Sequence, residues 1–124
     1  RLTNWICRCE DVVETLKPLQ EGVGQPVDLT RGNLRWRMAV PDDGILPYNG
    51  SFPALIQWQT SAHPAIMLTP SGCRLRQLTV AHPEVSGLQS ELSTFSDPRV
   101  VFETAPKPGF SAAFDTPHGP RILE

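Results

Sequence analysis

Arg35 and Arg37, one residue apart, are the most suggestive chemical pair in the sequence. They alternate with Leu34, Trp36, Met38 and Val40, so both guanidinium groups leave the same side of a strand. A guanidinium fork binds a carboxylate or phosphate through two parallel hydrogen bonds. Alternation puts other polar side chains on comparable faces: Asn4 with Arg8, Gln57 with Leu55, and Gln77 with Thr79 and Leu75. If these faces turn away from the helices and line one concave surface, that surface offers amides and guanidinium groups with few carboxylates. Its ligand would be small and polar or anionic, held by Asn4, Arg35, Arg37, Gln57 and Gln77. The same spacing also fits an exposed sheet edge whose charges deter pairing with another chain.

The remaining reactive side chains make weaker patterns. His63, His82 and His118 fall in a linker, at a helix start and in a hairpin turn, without metal-type spacing, and read as loop or capping residues. Cys7 and Cys9 alternate onto one face and Cys73 stands apart. An odd count of three reads as buried free thiols in a reducing cytosol rather than as a disulfide framework. Asp42-Asp43-Gly44 lacks the further carboxylates of a calcium loop and reads as a turn. Trp5, Trp36 and Trp58 occupy apolar alternation positions and read as core beneath the helices rather than as a stacking platform. There is no Ser-His-Asp signature and no Gly-rich phosphate loop, and Ser71-Gly72-Cys73 enters a strand instead of a helix.

The elements that must position these residues follow from periodicity and punctuation. Residues 2–9 alternate as a strand. Glu10-Asp11 then starts a helix carrying Val12, Val13, Leu16 and Leu19, which Pro18 should end near Leu16. Strands follow at 27–31, 34–40 and 54–59. Residues 60–72, rich in Ser, Thr and Pro, read as a linker. The pattern then restarts with a strand at 73–81. His82-Pro83-Glu84 opens a helix whose stripe is Val85, Leu88 and Leu92, and strands follow at 100–103, 110–115 and 121–123. The order is β-α-β-β-β twice, in one domain made of modules 1–59 and 73–124. The fold class is α+β: two βαβββ modules forming a curved, mostly antiparallel sheet with helices on the outer face.

Composition bounds the partners. The chain has 124 residues, is 40% hydrophobic and 19% charged, and carries a net charge of −2, which gives no global case for nucleic acid or an anionic membrane. No apolar run is long enough to span a bilayer, and no basic-then-apolar signal segment opens the chain. A cytoplasmic protein is the expectation. Residue 1 is Arg, which suggests a piece of a longer protein, and Leu123-Glu124 could be either native or a cloning remnant.

The stretches 33–44 (Asn33 through Gly44), Pro53-Ala54-Leu55-Ile56-Gln57-Trp58, His63-Pro64-Ala65 and Ser71-Gly72-Cys73-Arg74-Leu75 resemble glyoxalase-like domains of the vicinal oxygen chelate superfamily. The resemblance covers nearly the whole chain. It implies a lyase, isomerase or dioxygenase ancestry, often a further module in front, and modules that pair within or between chains, so a homodimer is a possible arrangement. It also implies a divalent metal held by the first and fourth strands of each module. Those positions match Asn4, Gln57, Gln77 and Leu123 or its neighbour Glu124. Neutral amides are weak donors and bring no charge, so the set reads as a metal-free ligand cleft without a cofactor. Metal-dependent catalysis and a structural module paired with another chain stand as the alternatives.

Overall fold

The computed structural model of the chain describes residues 1–61 and 63–124. These form two compact units, Trp5–Thr69 and Pro70–Glu124, the latter grouped with Arg1–Asn4. The expected linker therefore divides at residue 69, with most of it belonging to the N-terminal unit. The order β-α-β-β-β appears in both halves and the α+β class holds. The strands make two four-stranded sheets rather than one. Among the described residues no helix is long and apolar enough to cross a membrane.

In the N-terminal unit, β1 (Ile6–Arg8) leads into α1 (Val12–Leu16), then β2 (Gln25–Arg31), β3 (Leu34–Val40) and β4 (Ala54–Trp58). Helix α1 starts where Asp11 accepts backbone N–H bonds from Val13 at 2.9 Å and Glu14 at 3.1 Å. Such a cap is worth about 1 kcal/mol. The helix stops short of Pro18, as expected, because proline lacks the N–H that a further turn would need. The sheet order is β1-β4-β3-β2. Strand β4 lies in the sheet interior between β1 and β3, and its Ala54, Leu55 and Ile56 are buried. Strand β1 is shorter than the 2–9 run expected, because only Ile6, Cys7 and Arg8 pair with β4.

The register decides which residues share a face, because directly paired residues point to the same side. Arg37 stands opposite Gln57, while Trp36 stands opposite Trp58 and Met38 opposite Ile56. Helix α1 lies on the Arg37 and Gln57 side, where the backbone N–H of Val12 donates to Gln57 Oε1 at 3.1 Å. Leu55 (on the Gln57 face of β4), Ala39 and Val12 are buried beside it. The expectation that Arg37 and Gln57 face away from the helix is thus corrected, as is the placement of Trp36 and Trp58 beneath it. Alternation separates the two faces of a strand but does not say which one receives the helix. A five-residue helix covers only a narrow apolar footprint. Leu55 and Ala39 fill that footprint, and the broader tryptophan face lies opposite.

In the C-terminal unit, β5 (Arg74–His82) leads into α2 (Val85–Glu91), then β6 (Val100–Thr104), β7 (Gly109–Asp115) and β8 (Arg121–Leu123). The sheet order is β6-β5-β7-β8. Here the first and last strands are separated by β7, whereas β1 and β4 are neighbours in the other unit. Val80, Leu88, Leu92 and Ala112 form the core. The register steps between Leu75↔Phe114 and Gln77↔Ala113, so Arg76 is the extra residue of a bulge. The bulge returns Leu75 to the face of Leu78, correcting its placement with Gln77 and Thr79. His82 closes β5 rather than opening the helix, and Nδ1 of this buried ring accepts the Glu84 N–H at 2.9 Å.

Candidate functional site

The five ligand-binding candidates are divided between the units. Arg35, Arg37 and Gln57 belong to the N-terminal unit, Asn4 and Gln77 to the C-terminal one. Arg37 is engaged: its Nε donates to Asp28 Oδ1 at 2.7 Å and its Nη2 to Asp28 Oδ2 at 3.0 Å. The β2–β3 register creates this fork by placing Asp28 directly opposite Arg37. Gln59 Nε2 also donates to Asp28 Oδ1, at 3.4 Å. The hydrogen bond from Arg37 is the main cause holding the Asp28 carboxyl below the usual carboxylate range, and Asp28 in turn raises the Arg37 guanidinium. Gln57 is spent on the α1 N-terminus. Arg35 is exposed on that same face, at the level of Thr30.

In the C-terminal unit, Gln77 Nε2 donates to Thr79 Oγ1 at 3.0 Å, on the face shared with Ala113 and Ile122. Asn4 is exposed and its Oδ1 accepts from Thr3 Oγ1 at 3.0 Å. Leu123 pairs with Ala112, on the opposite face from Gln77.

A divalent cation does not fit these donors. Gln57 Oε1 already accepts a backbone N–H, and Leu123 has no donor atom and faces away from Gln77. Among the described residues no group of three or more His, Cys, Asp or Glu gathers as a metal site. The histidines serve locally. His63 Nδ1 accepts from the Ala65 N–H at 3.1 Å and caps a short 3-10 turn, and His118 lies in the turn organised by Thr116. Cys9 is half-buried and its Sγ donates to the Ile56 carbonyl at 3.5 Å. Burial is the main cause that pushes this thiol up, away from the reactive thiolate.

The residues that alternation alone did not bring together lie on the other face of the first sheet. Trp36 and Trp58 have ring centroids 5.6 Å apart at an interplanar angle of 50°. The His63 ring meets Trp58 edge-on, at 5.6 Å and 68°. Arg8 shares this face through its pairing with Ile56, and Arg31 through its pairing with Leu34. Their signal was present in the sequence as the Trp36/Met38 and Ile56/Trp58 stripes; what was missing was the side on which α1 would sit.

A separate cleft of ≈ 500 Å³ is lined by Glu21, Gly22, Gly24, Gln25, Pro41, Asp42, Asp43 and Ile45. Gly24, at φ 107°, lets the chain pass against β3, since a Cβ there would stand 2.2 Å from the Val40 carbonyl carbon. Asp43 is occupied in the turn, its Oδ1 accepting the Ile45 N–H at 2.9 Å.

No curated protein and no solved structure matches the chain. The family of glyoxalase-like domains matches residues 1–95, which takes in the whole N-terminal unit and extends through β5 and α2, stopping short of β6. With most of its length matched, the chain belongs to the family of glyoxalase-like domains, of the vicinal oxygen chelate superfamily.

Proposed function

We propose that this glyoxalase-like domain binds a small anionic ligand without a metal, on the face of the N-terminal sheet turned away from α1. The observation that carries this reading is the charge of that face. It holds Arg8 and Arg31, whereas the sole carboxylate in the four strands, Asp28, lies on the other face in the fork of Arg37. Among the described residues neither Arg8 nor Arg31 makes an ion pair or a side-chain hydrogen bond. Exposed guanidinium groups of this kind are available for bidentate contact with a carboxylate or phosphate. Arg37 by contrast is already matched by Asp28, so its charge is locally neutralised.

The reading is tested by isothermal titration calorimetry with inorganic phosphate, citrate and benzoate. Each titration is run in EDTA and again with added Zn²⁺, Ni²⁺ or Mn²⁺. Binding of at least one anion with the same affinity in EDTA is the expected result. An anion response seen only with a metal, or a stoichiometric metal retained through dialysis, would overturn it in favour of metal-dependent chemistry.

A further inference from the structure

We propose that the ligand is a flat aromatic anion, an aryl carboxylate or aryl phosphate, seated on Trp36 and Trp58; this rests on the reading that the α1-distal face binds an anion. The two indoles stand opposite each other across β3 and β4 and are half-buried, so their rings are fixed by the sheet while part of each remains open. Their 50° tilt at 5.6 Å makes an angled wall rather than a closed stack. A third ring placed against either indole gains the offset or edge-on contact that aromatic pairs prefer.

His63 bounds the wall on the Trp58 side. Its Nδ1 accepts the Ala65 N–H, so in the neutral ring the proton resides on Nε2, where the ring acts as a donor. The arginines occupy the two flanks. Arg8 pairs with Ile56, two residues before Trp58 on β4, and Arg31 pairs with Leu34, two residues before Trp36 on β3. Each guanidinium is therefore on the ladder row next to an indole, at a diagonal separation of about 7–8 Å between backbones, which a long side chain spans.

Two features select the ligand class together. An indole pair alone would also attract a cation over its faces. The flanking guanidinium groups, with no strand carboxylate on that face, disfavour a cation and favour an anion. A small inorganic anion would meet an arginine but leave the indoles uncovered, whereas an aryl anion uses both.

The test is calorimetric titration in EDTA with 1-naphthoate, inorganic phosphate and 1-naphthylmethylammonium, on the wild-type chain and on Arg8→Gln and Arg31→Gln. Thermal melts confirm that both variants keep the fold, as expected for exposed side chains. The expected result is naphthoate binding at least tenfold tighter than phosphate or the ammonium probe, weakened about tenfold by R8Q or R31Q. Phosphate binding as tightly as naphthoate would overturn the aromatic class while leaving an anion-binding face. The ammonium probe matching naphthoate, or naphthoate affinity unchanged in both variants, would overturn the proposal. Binding of none of the probes would overturn both it and the anion reading.

Discussion

The N-terminal unit sets its last strand, β4, in the middle of the sheet, whereas the C-terminal unit leaves its last strand, β8, at the rim. Both units run β-α-β-β-β, so order along the chain does not choose between these arrangements. Burial does. Ala54, Leu55 and Ile56 are buried in succession, an apolar run suited to an interior strand, and β4 is flanked by β1 and β3. Strand β8 has three residues, all exposed, with Ile122 at 70%. It suits an edge, and β5 takes the central place instead, pairing with β6 and β7. The first unit thereby brings β1 beside β4, and the second keeps its first and last strands apart. The divergence coincides with the reach of the family match, which stops before β6.

The sharpest way to break this comparison is to truncate one side chain in each last strand. Leu55→Ala, in a fully buried site, should cost about 2–5 kcal/mol in urea unfolding. All three tryptophans lie within residues 5–69, so indole fluorescence reads that unit, and far-UV circular dichroism in the same titrations reads the strands of both. Ile122→Ala, at an exposed edge, should stay within about 0.5 kcal/mol. Equal losses would mean that β8 is as central as β4.

A smaller effect is expected from Gln57→Leu, of about 1–3 kcal/mol, because it strands the N–H of the buried Val12. If Gln57 served a ligand instead of α1, the same change would alter binding and leave the urea midpoint in place. The helix starts offer a further contrast. Asp11 caps α1 through two backbone N–H groups, whereas Glu84 at the start of α2 makes no side-chain cap bond. Asp11→Ala should cost about 1 kcal/mol, and Glu84→Ala should fall within about 0.5 kcal/mol.

The smallest effect is on pH dependence. Asp97 is held at about 2, first by the side-chain bond from Arg99 and then by the Arg99 backbone N–H. A carboxyl lowered by folding adds stability above its unfolded value of 3.8, and that stability is lost as pH falls toward about 2. The pair is exposed enough for solvent to reduce the gain. Asp97→Asn should flatten the acid limb of a stability-versus-pH curve between about pH 4 and pH 2. An unchanged limb would remove Asp97 from the comparison of the two units.

Much of the fold was legible because local chemistry fixed it. Pro18 ended α1, the Leu34–Val40 alternation gave β3 to the residue, and the second helix kept its Val85, Leu88 and Leu92 stripe. Strand order and helix side were not legible, because both depend on contacts between distant segments. Trp36 and Trp58 fall at apolar alternation positions, and the burial habit of tryptophan points to a place under a helix. Leu55 and Ala39 form a narrower stripe that matches five residues of helix, and they received α1. Leu75 was misplaced for a different reason: a bulge at Arg76 breaks the two-residue period, and no residue type announces it. The candidate site depends on the same distant contacts: Arg37 and Gln57, ligand contacts in the sequence reading, are bonded to Asp28 and Val12, while Arg8 and Arg31 stand at strand positions that no motif marks.

The most direct measurement sets the two faces of the N-terminal sheet against each other. Naphthoate affinity is measured by calorimetry for the wild-type chain, Arg8→Gln, Arg31→Gln and Arg37→Gln in one buffer. The expected result is about a tenfold loss in R8Q or R31Q and no change in R37Q. A loss in R37Q with both R8Q and R31Q unaffected would place the ligand on the α1 side and contradict the assignment.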